Sequence, residues 1–139
     1  MRWFSGWLIL LLAGWTEAAD VEVTVKGVSV AKGTLLVGFY NQASTFRNKQ
    51  LPQSIKTPVT KTGPVTVVAR NLPPGVYAVA VIWDLNSNGV LDRKGPFKRP
   101  TEPFGFSNNP KLKFRPPEYP ECTFTVKEPG GKLEISLLK

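Results

Sequence analysis

Oxygen-bearing side chains fall on every second residue of one polar loop, at Asp84, Asn86 and Asn88, and a glycine follows at Gly89. This spacing is typical of a chain that curls around a hard cation, because Ca²⁺ takes carboxylate, amide and backbone carbonyl oxygens as ligands. We therefore predict a calcium site in the 84–92 loop. Its predicted ligands are the side chains of Asp84, Asn86, Asn88 and Asp92 and the backbone carbonyl of Val90.

The match to a twelve-residue calcium loop is incomplete at its last position. If Asp84 is position one, Val90 offers its carbonyl at position seven and Asp92 takes position nine, but Gly95 stands where a bidentate glutamate belongs. Glu102 is the nearest downstream acid, so either Glu102 or water completes the predicted shell. Two aspartates and two neutral amides predict a weak site, with a dissociation constant on the order of 10⁻⁴ to 10⁻³ M.

An alternative interpretation of the same loop needs no ion. Asparagine and aspartate side chains also accept hydrogen bonds from backbone N–H groups two or more residues ahead, which forms an Asx-rich turn. A simple turn does not require an oxygen at every second position and a further aspartate after the glycine, which favours the metal site.

A cluster of cations follows the loop. It consists of Arg93, Lys94, Lys98 and Arg99. One interpretation is a positive surface beside the cation that binds an anionic ligand, and the other is an ordinary solvated loop. The candidate ligands are an anionic glycan or a lipid headgroup.

The residue inventory argues against enzymatic chemistry. The 139 residues include no histidine and one cysteine, Cys122, on the apolar side of a predicted strand. The usual general base, the usual zinc and copper ligands and any Ser-His or Cys-His pair are therefore missing. A hydrolase that uses Asp84 and Glu102 as paired carboxylates is the remaining enzymatic hypothesis. Neighbouring amides and cations disfavour the raised carboxyl pKa that it would need.

Period-two hydrophobic patterns predict the strands that must position these residues. Residues 21–26 and 65–70 alternate apolar and polar side chains, 34–40 is apolar on both faces, and 76–83 is the longest apolar run and leads directly into Asp84. Residues 122–126 and 133–137 are predicted to form a closing hairpin across Pro129, Gly130 and Gly131. Residues 41–58 are predicted to form a long loop or a short helical turn, and the proline-rich segment 93–120 is predicted to be a loop. Six short strands predict an all-β sandwich.

The N-terminal residues predict export. Arg2, the apolar run from Trp7 to Ala13 and the small-residue stretch before Asp20 resemble a cleavable signal peptide over residues 1–19. The predicted domain then covers residues 20–139, in the periplasm or outside the cell, with no stable membrane anchor. The formal net charge of +8 is typical of a domain attracted to anionic surfaces. Nucleic acid is not an expected partner of an exported protein.

Three segments in fixed order carry a resemblance to a known family. They are residues 72–79 (LPPGVYAV), 84–92 (DLNSNGVLD) and 102–109 (EPFGFSNN). Together they resemble the exported bacterial proteins of domain of unknown function family 2141. The resemblance implies a prealbumin-like or immunoglobulin-like β-sandwich and implies no activity. The strand that enters an Asp-Asn-Asn-Gly-Asp loop is also similar to the calcium-binding B-type repeats of surface adhesins.

The leading hypothesis from the sequence is an exported, non-enzymatic β-sandwich with a calcium-binding loop. The second is a binding module for an anionic glycan or lipid at the cell envelope, which would use the basic cluster.

Overall fold

The computed structural model describes residues 18–47, 54–112 and 115–138, which form ten strands and two short helices. The predicted signal peptide lies outside these residues except for Ala18 and Ala19. The elements are β1 Ala19–Lys26, β2 Thr34–Tyr40, α1 Ala43–Arg47, β3 Ser54–Pro58, β4 Val65–Leu72, β5 Gly75–Asp84, β6 Arg93–Lys94, β7 Arg99–Pro100, β8 Phe104–Phe106, α2 Tyr119–Cys122, β9 Thr123–Val126 and β10 Gly130–Ser136.

Two sheets form the body of the domain. One has the strand order β10-β1-β4, and the other has the order β3-β2-β5-β8, with β9 also paired to β5. Alternate residues of both sheets meet in one hydrophobic core, because successive side chains of a strand point to opposite faces. The prediction of an all-β sandwich is confirmed. The largest fully buried side chains of this core are Trp83, Leu35, Ile135, Val21, Val23, Val25, Val37, Val79 and Val81.

The other face of the larger sheet carries a second, smaller cluster. Tyr40 of β2 and Ala78 of β5 pack there with Phe46 of α1 and Cys122 of α2. The rings of Tyr40 and Phe46 meet edge to face with centroids 5.4 Å apart. This cluster explains why β2 is apolar on both faces, since one face meets the opposite sheet and the other meets the two short helices.

The centre of the larger sheet is β5, which is also the longest strand, with ten residues. It pairs with β2 along one edge, from Thr34 opposite Asp84 to Tyr40 opposite Ala78. Along the other edge it pairs first with β9 and then with β8. The prediction that the longest apolar strand delivers the chain to Asp84 is therefore confirmed.

The predicted closing hairpin is wrong. β9 runs antiparallel to β5 in the larger sheet, whereas β10 runs parallel to β1 in the smaller one. The short connection between them crosses from one sheet to the other, as the connection from β4 to β5 also does. Alternation specifies which face of a strand is buried, but both sheets bury a face in the same core, so the pattern does not reveal the partner strand.

The segments 41–58 and 93–120 contain short regular elements, of which only the helical turn α1 is among the predicted alternatives. Residues 41–58 include α1 and the edge strand β3, and residues 93–120 include β6, β7 and β8 and part of α2. The prolines of the two segments argued against strands there, but Pro58 and Pro100 stand at strand ends, where a missing N–H is tolerated. Cys122 likewise closes α2 and does not begin a strand, although its predicted burial is confirmed at 0% exposure.

Candidate metal centre

The 84–92 loop leaves the sandwich at the end of β5 and is held there from two sides. The Trp83 indole Nε1 donates to the Lys32 carbonyl at 2.8 Å, and the Trp83 backbone N–H donates to the Pro103 carbonyl at 2.9 Å. Gly33 lies so close that a Cβ added to it would stand 2.5 Å from the Asp84 carbonyl oxygen. The loop therefore starts from a fixed point between the β1–β2 connection and the segment that precedes β8.

Asp84 closes the first turn of the loop. Its side chain is buried, with 1% exposure. Oδ1 accepts the backbone N–H of Asn88 at 3.1 Å, and Oδ2 accepts that of Gly89 at 2.7 Å. The Asp84 carbonyl accepts the Ser87 N–H at 3.2 Å. One carboxylate thus organises the chain over the next five residues, as in the Asx-turn alternative.

Glu102 joins the beginning of the loop to its end. It is 4% exposed, and it comes from a segment seventeen residues beyond Leu85. Oε2 accepts the Leu85 N–H at 2.6 Å, and Oε1 accepts the Asp92 N–H at 3.0 Å. The Asp92 carbonyl in turn accepts the Thr101 N–H at 2.8 Å. Glu102 is therefore part of the loop architecture through its contacts with the backbone, whereas the sequence predicted it only as a candidate metal ligand.

Two asparagine side chains converge on Asp92. Nδ2 of Asn86 donates to Oδ2 of Asp92 at 2.6 Å, and Nδ2 of Asn88 donates to Oδ1 at 2.8 Å. These bonds, that of Asn88 foremost, hold the pKa of the Asp92 carboxyl below its ordinary value, because they stabilise its charged form. The amide oxygens of the same two residues accept hydrogen bonds from backbone N–H groups. Asn86 Oδ1 accepts the Asn88 N–H at 3.3 Å, and Asn88 Oδ1 accepts the Val90 N–H at 3.1 Å.

The predicted ligands thus lie in one small region, but they are arranged in two groups. Asn86, Asn88 and Asp92 form an outer group that contacts solvent, and Asp84 and Glu102 form an inner group that accepts backbone N–H bonds. Val90 lies between Asn88 and Asp92 of the outer group in sequence, and the residue is 59% exposed. Over the described residues, no three side chains of the His, Cys, Asp or Glu type lie close enough to hold a metal ion by themselves.

The hydrogen bonds leave unused lone pairs on the three carboxylates of the loop region. Each of the six carboxylate oxygens of Asp84, Asp92 and Glu102 accepts one of the hydrogen bonds given above. A carboxylate offers about four lone-pair sites, so each oxygen keeps roughly one for another donor or for a cation. A metal at this loop would therefore need the neutral amide and carbonyl oxygens as well as the acids.

The four predicted basic residues form a hairpin of their own. β6 and β7 pair as a separate two-stranded sheet, with Arg93 opposite Pro100 and Lys94 opposite Arg99. Lys98 lies in the connecting turn. The structure thus brings the four cations together next to the polar loop.

Sequence reasoning missed two supports of this region. Ser87 and Thr34 share a hydrogen bond between their hydroxyls at 2.9 Å, which ties the loop to β2. Gly33 provides the close approach to Asp84 with φ +77°, a conformation that favours glycine. The only sequence signal for the role of Gly33 was a glycine immediately before a predicted central strand.

A comparison with protein families identifies the chain's relatives. The family described as "Uncharacterized protein conserved in bacteria (DUF2141)" matches residues 23–134, which is most of the chain. The chain belongs to this family. The DUF2141 match runs from β1 into β10 and so includes the polar loop and the basic hairpin. No curated protein and no solved structure matches the chain.

Proposed function

We propose that this DUF2141 protein is an exported, non-enzymatic β-sandwich whose 84–92 loop binds Ca²⁺. The observation that carries the proposal is the convergence of Asn86 and Asn88 on the Asp92 carboxylate. The side chains of Asn86, Asn88 and Asp92 already meet through hydrogen bonds. A cation placed there would find a carboxylate and two amides within reach of each other.

The amides can present oxygen to that point by a local rotation. Half a turn about the last side-chain bond exchanges Oδ1 and Nδ2 of an asparagine. The rotation would break the two bonds that Nδ2 donates to Asp92, at 2.6 and 2.8 Å, and the Asx bonds to the Asn88 and Val90 N–H groups, which are 3.3 and 3.1 Å long. The Asx bonds contribute about 1 kcal/mol each and the bonds to the carboxylate about 1.5–3 kcal/mol each, and coordination of the dication by the same oxygens would have to offset their loss.

The inner acids would assist in two ways. Asp84 and Glu102 hold the backbone of the loop in its curled form before any ion arrives, which lowers the ordering cost of binding. Their second lone pairs and their charge would also favour a dication over a neutral ligand. Val90 would contribute its carbonyl, as the spacing predicts.

Several features support a non-enzymatic role. The chain contains no histidine. Burial, followed by the negative charge of Glu121, raises the pKa of the Cys122 thiol to about 11, so the thiolate is scarce at neutral pH. The carboxylates of Asp84 and Glu102 are engaged with backbone N–H groups, which suits a structural or binding role better than proton transfer.

The second candidate function is binding of an anionic partner through the basic hairpin. The specific observation that favours it is the pairing of β6 with β7, which presents four cations together on exposed backbone. This candidate and the calcium site are compatible, because they use neighbouring but different side chains.

Calcium titration tests the leading proposal. The protein is treated with a chelator, dialysed, and its melting temperature is followed with increasing Ca²⁺. At about 10 mM, a site with a dissociation constant of 10⁻⁴ to 10⁻³ M stabilises the native state by about 1.4 to 2.7 kcal/mol. For a domain of this size the melting temperature should rise by roughly 5 to 10 °C. Mg²⁺ should act less, because it requires stricter octahedral geometry.

A matched pair of variants separates the site from a general salt effect. Asp92→Asn should abolish the calcium response, because it removes the only charge of the outer group. Asp20→Asn should retain the response, since Asp20 lies on β1 and contacts Asn71 and Arg70. An unchanged melting temperature in the unaltered protein, or an equal response in both variants, would refute the proposal.

A further inference from the structure

The basic hairpin carries an apolar side chain at its tip. Residues 95–98 connect β6 to β7, and the turn is closed by the Lys98 N–H, which donates to the Gly95 carbonyl at 3.1 Å. Arg93 Nη1 donates to the Lys98 carbonyl at 3.0 Å and braces the turn from the first strand. Phe97 lies at the end of this braced turn.

Phe97 is 82% exposed, the highest value among the exposed large hydrophobic residues of the described chain. A phenylalanine buries about 150–250 Å² when it finds an apolar partner, so its exposure on a braced turn forgoes a large favourable contact. Val90, in the adjacent polar loop, is also exposed, at 59%. The end of the molecule that bears the hairpin therefore presents apolar side chains to solvent.

The charge around Phe97 has one sign. Residues 93–100 contain four cations and no acid. Within the ranges that the structure describes, every ion pair lies elsewhere, and none involves a residue of the hairpin. The nearest acids in sequence, Asp92 and Glu102, direct their carboxylates to N–H groups of the polar loop. None of the four cations of the hairpin thus forms an ion pair with an acid of the described residues.

The shape of this surface selects among anionic partners. Small ligands and sugars bind mostly in concave sites, but the hairpin forms a small separate sheet with an exposed tip. Two shallow surface cavities of the described residues lie elsewhere, one beside Ser107 and the other beside Pro129, and no hairpin residue lines them. A bilayer surface accommodates a convex tip, because it accepts an aromatic side chain below the phosphates and cations at their level.

We propose that the 93–100 hairpin docks on an anionic phospholipid bilayer, with Phe97 in the headgroup and acyl-chain boundary and the four cations at the phosphates. The proposal rests on the second candidate function and names its partner. It is independent of Ca²⁺ binding. Attachment would be peripheral and reversible, because one aromatic side chain and four charges form a modest anchor compared with a spanning helix. Among the described residues, no helix has the length and apolarity to cross a bilayer.

Vesicle sedimentation tests the proposal. The protein used begins at Ala19, which retains all ten strands and both hydrophobic clusters and omits the apolar run at 7–13. Vesicles of phosphatidylcholine alone are compared with vesicles that contain about 30% phosphatidylglycerol, and a chelator is present throughout so that the calcium proposal has no influence. We expect binding to the anionic vesicles only, and weaker binding as salt rises.

Paired variants identify the surface. Phe97→Ser should weaken binding roughly tenfold, whereas Val76→Ser should leave it unchanged, because Val76 is 49% exposed but lies at the opposite end of β5. Neutralising Lys94, Lys98 and Arg99 with glutamine should weaken binding roughly a hundredfold. Arg93 is kept because it braces the turn. Neutralising three exposed cations elsewhere should cost less than about threefold. They are Arg47, Lys111 and Lys127.

Fluorescence distinguishes a bilayer from a soluble polyanion. In Phe97→Trp, the emission should move to shorter wavelength with anionic vesicles and stay unchanged with dextran sulfate. Binding to dextran sulfate that is insensitive to Phe97→Ser, without vesicle binding, would overturn the bilayer proposal and leave the anionic-partner function standing. Binding to neither would overturn both. Equal losses in the test and control variants would also overturn the proposal.

Discussion

Replacing Glu102 by alanine should destabilise the protein far more than replacing an exposed glutamate. Glu102 accepts two backbone N–H bonds, 2.6 Å from Leu85 and 3.0 Å from Asp92, and it is 4% exposed. Hydrogen bonds to a charged group contribute about 1.5–3 kcal/mol each. Leu85 and Asp92 are only half-buried, so water can partly replace the lost carboxylate. We therefore take the lower end of the range and expect a loss of about 3 kcal/mol.

Urea unfolding followed by Trp83 fluorescence measures this loss. Trp83 is 2% exposed, and it is the only tryptophan of protein that begins at Ala19, so the emission of that protein reports unfolding of the core. The titration is carried out with chelator present, which removes any contribution of Ca²⁺. A loss of about 3 kcal/mol corresponds to a drop in melting temperature of roughly 10 to 15 °C for a domain of this size.

Two further substitutions make the result specific. Glu134→Ala should cost less than about 1 kcal/mol, because the Glu134 side chain is 64% exposed and its contact with Lys26 is a surface ion pair. Glu102→Gln should fall between the two, since the amide retains one acceptor but turns its own N–H groups toward a backbone donor. If Glu102→Ala costs no more than Glu134→Ala, the assignment of Glu102 as the residue that joins the two ends of the loop is wrong.

Two other predictions concern stability and reactivity. Gly33→Ala should destabilise the protein by more than about 2 kcal/mol, because a Cβ would stand 2.5 Å from the Asp84 carbonyl oxygen at φ +77°. Gly63→Ala, with φ +96° and open space around the site, should cost only about 1 kcal/mol, and equal costs would show that the close approach is not real. Cys122 should not react with a disulfide reagent near pH 8 until the protein unfolds, because burial raises the pKa of its thiol to about 11. Between about pH 9 and 11 the Cys122 thiol keeps its proton in the native state and releases it in the unfolded state. Its contribution to stability is therefore lost as pH rises from about 9 toward 11. In a Cys122→Ala variant, the free energy of unfolding should decline less steeply over that window.

The strands with clear alternation were predictable because their pattern records burial directly. Val21, Val23 and Val25 face the core with Val67 and Ala69 of the neighbouring strand, as the period of two requires. The apolar run at 34–40 became a central strand because both of its faces meet other elements. The place of the polar loop at the end of β5 was also predictable, because the loop directly follows the longest apolar run in the sequence.

The short strands were not predictable from pattern. β6 and β7 have two residues each and β8 has three, so no period can be recognised in them. They form because the chain on either side of them is held by other contacts. At one end, Glu102 accepts the Asp92 N–H, and at the other end the Ser107 hydroxyl accepts the Val79 N–H at 2.9 Å. Such elements depend on neighbours distant in sequence.

What the sequence alone determined is the class of fold, the residue types of the polar loop and the positive charge of residues 93–99. These properties depend on residue type and on spacing within one segment, and both can be read from the chain. Only the tertiary structure decided that Asp84 and Glu102 accept backbone N–H bonds, that Asn86 and Asn88 meet at Asp92, and that Phe97 points to solvent. The physical reason is that hydrogen-bond partners and exposure are set by the arrangement of the sheets, which brings Glu102 to Leu85 and leaves Phe97 exposed at the hairpin tip among the described residues.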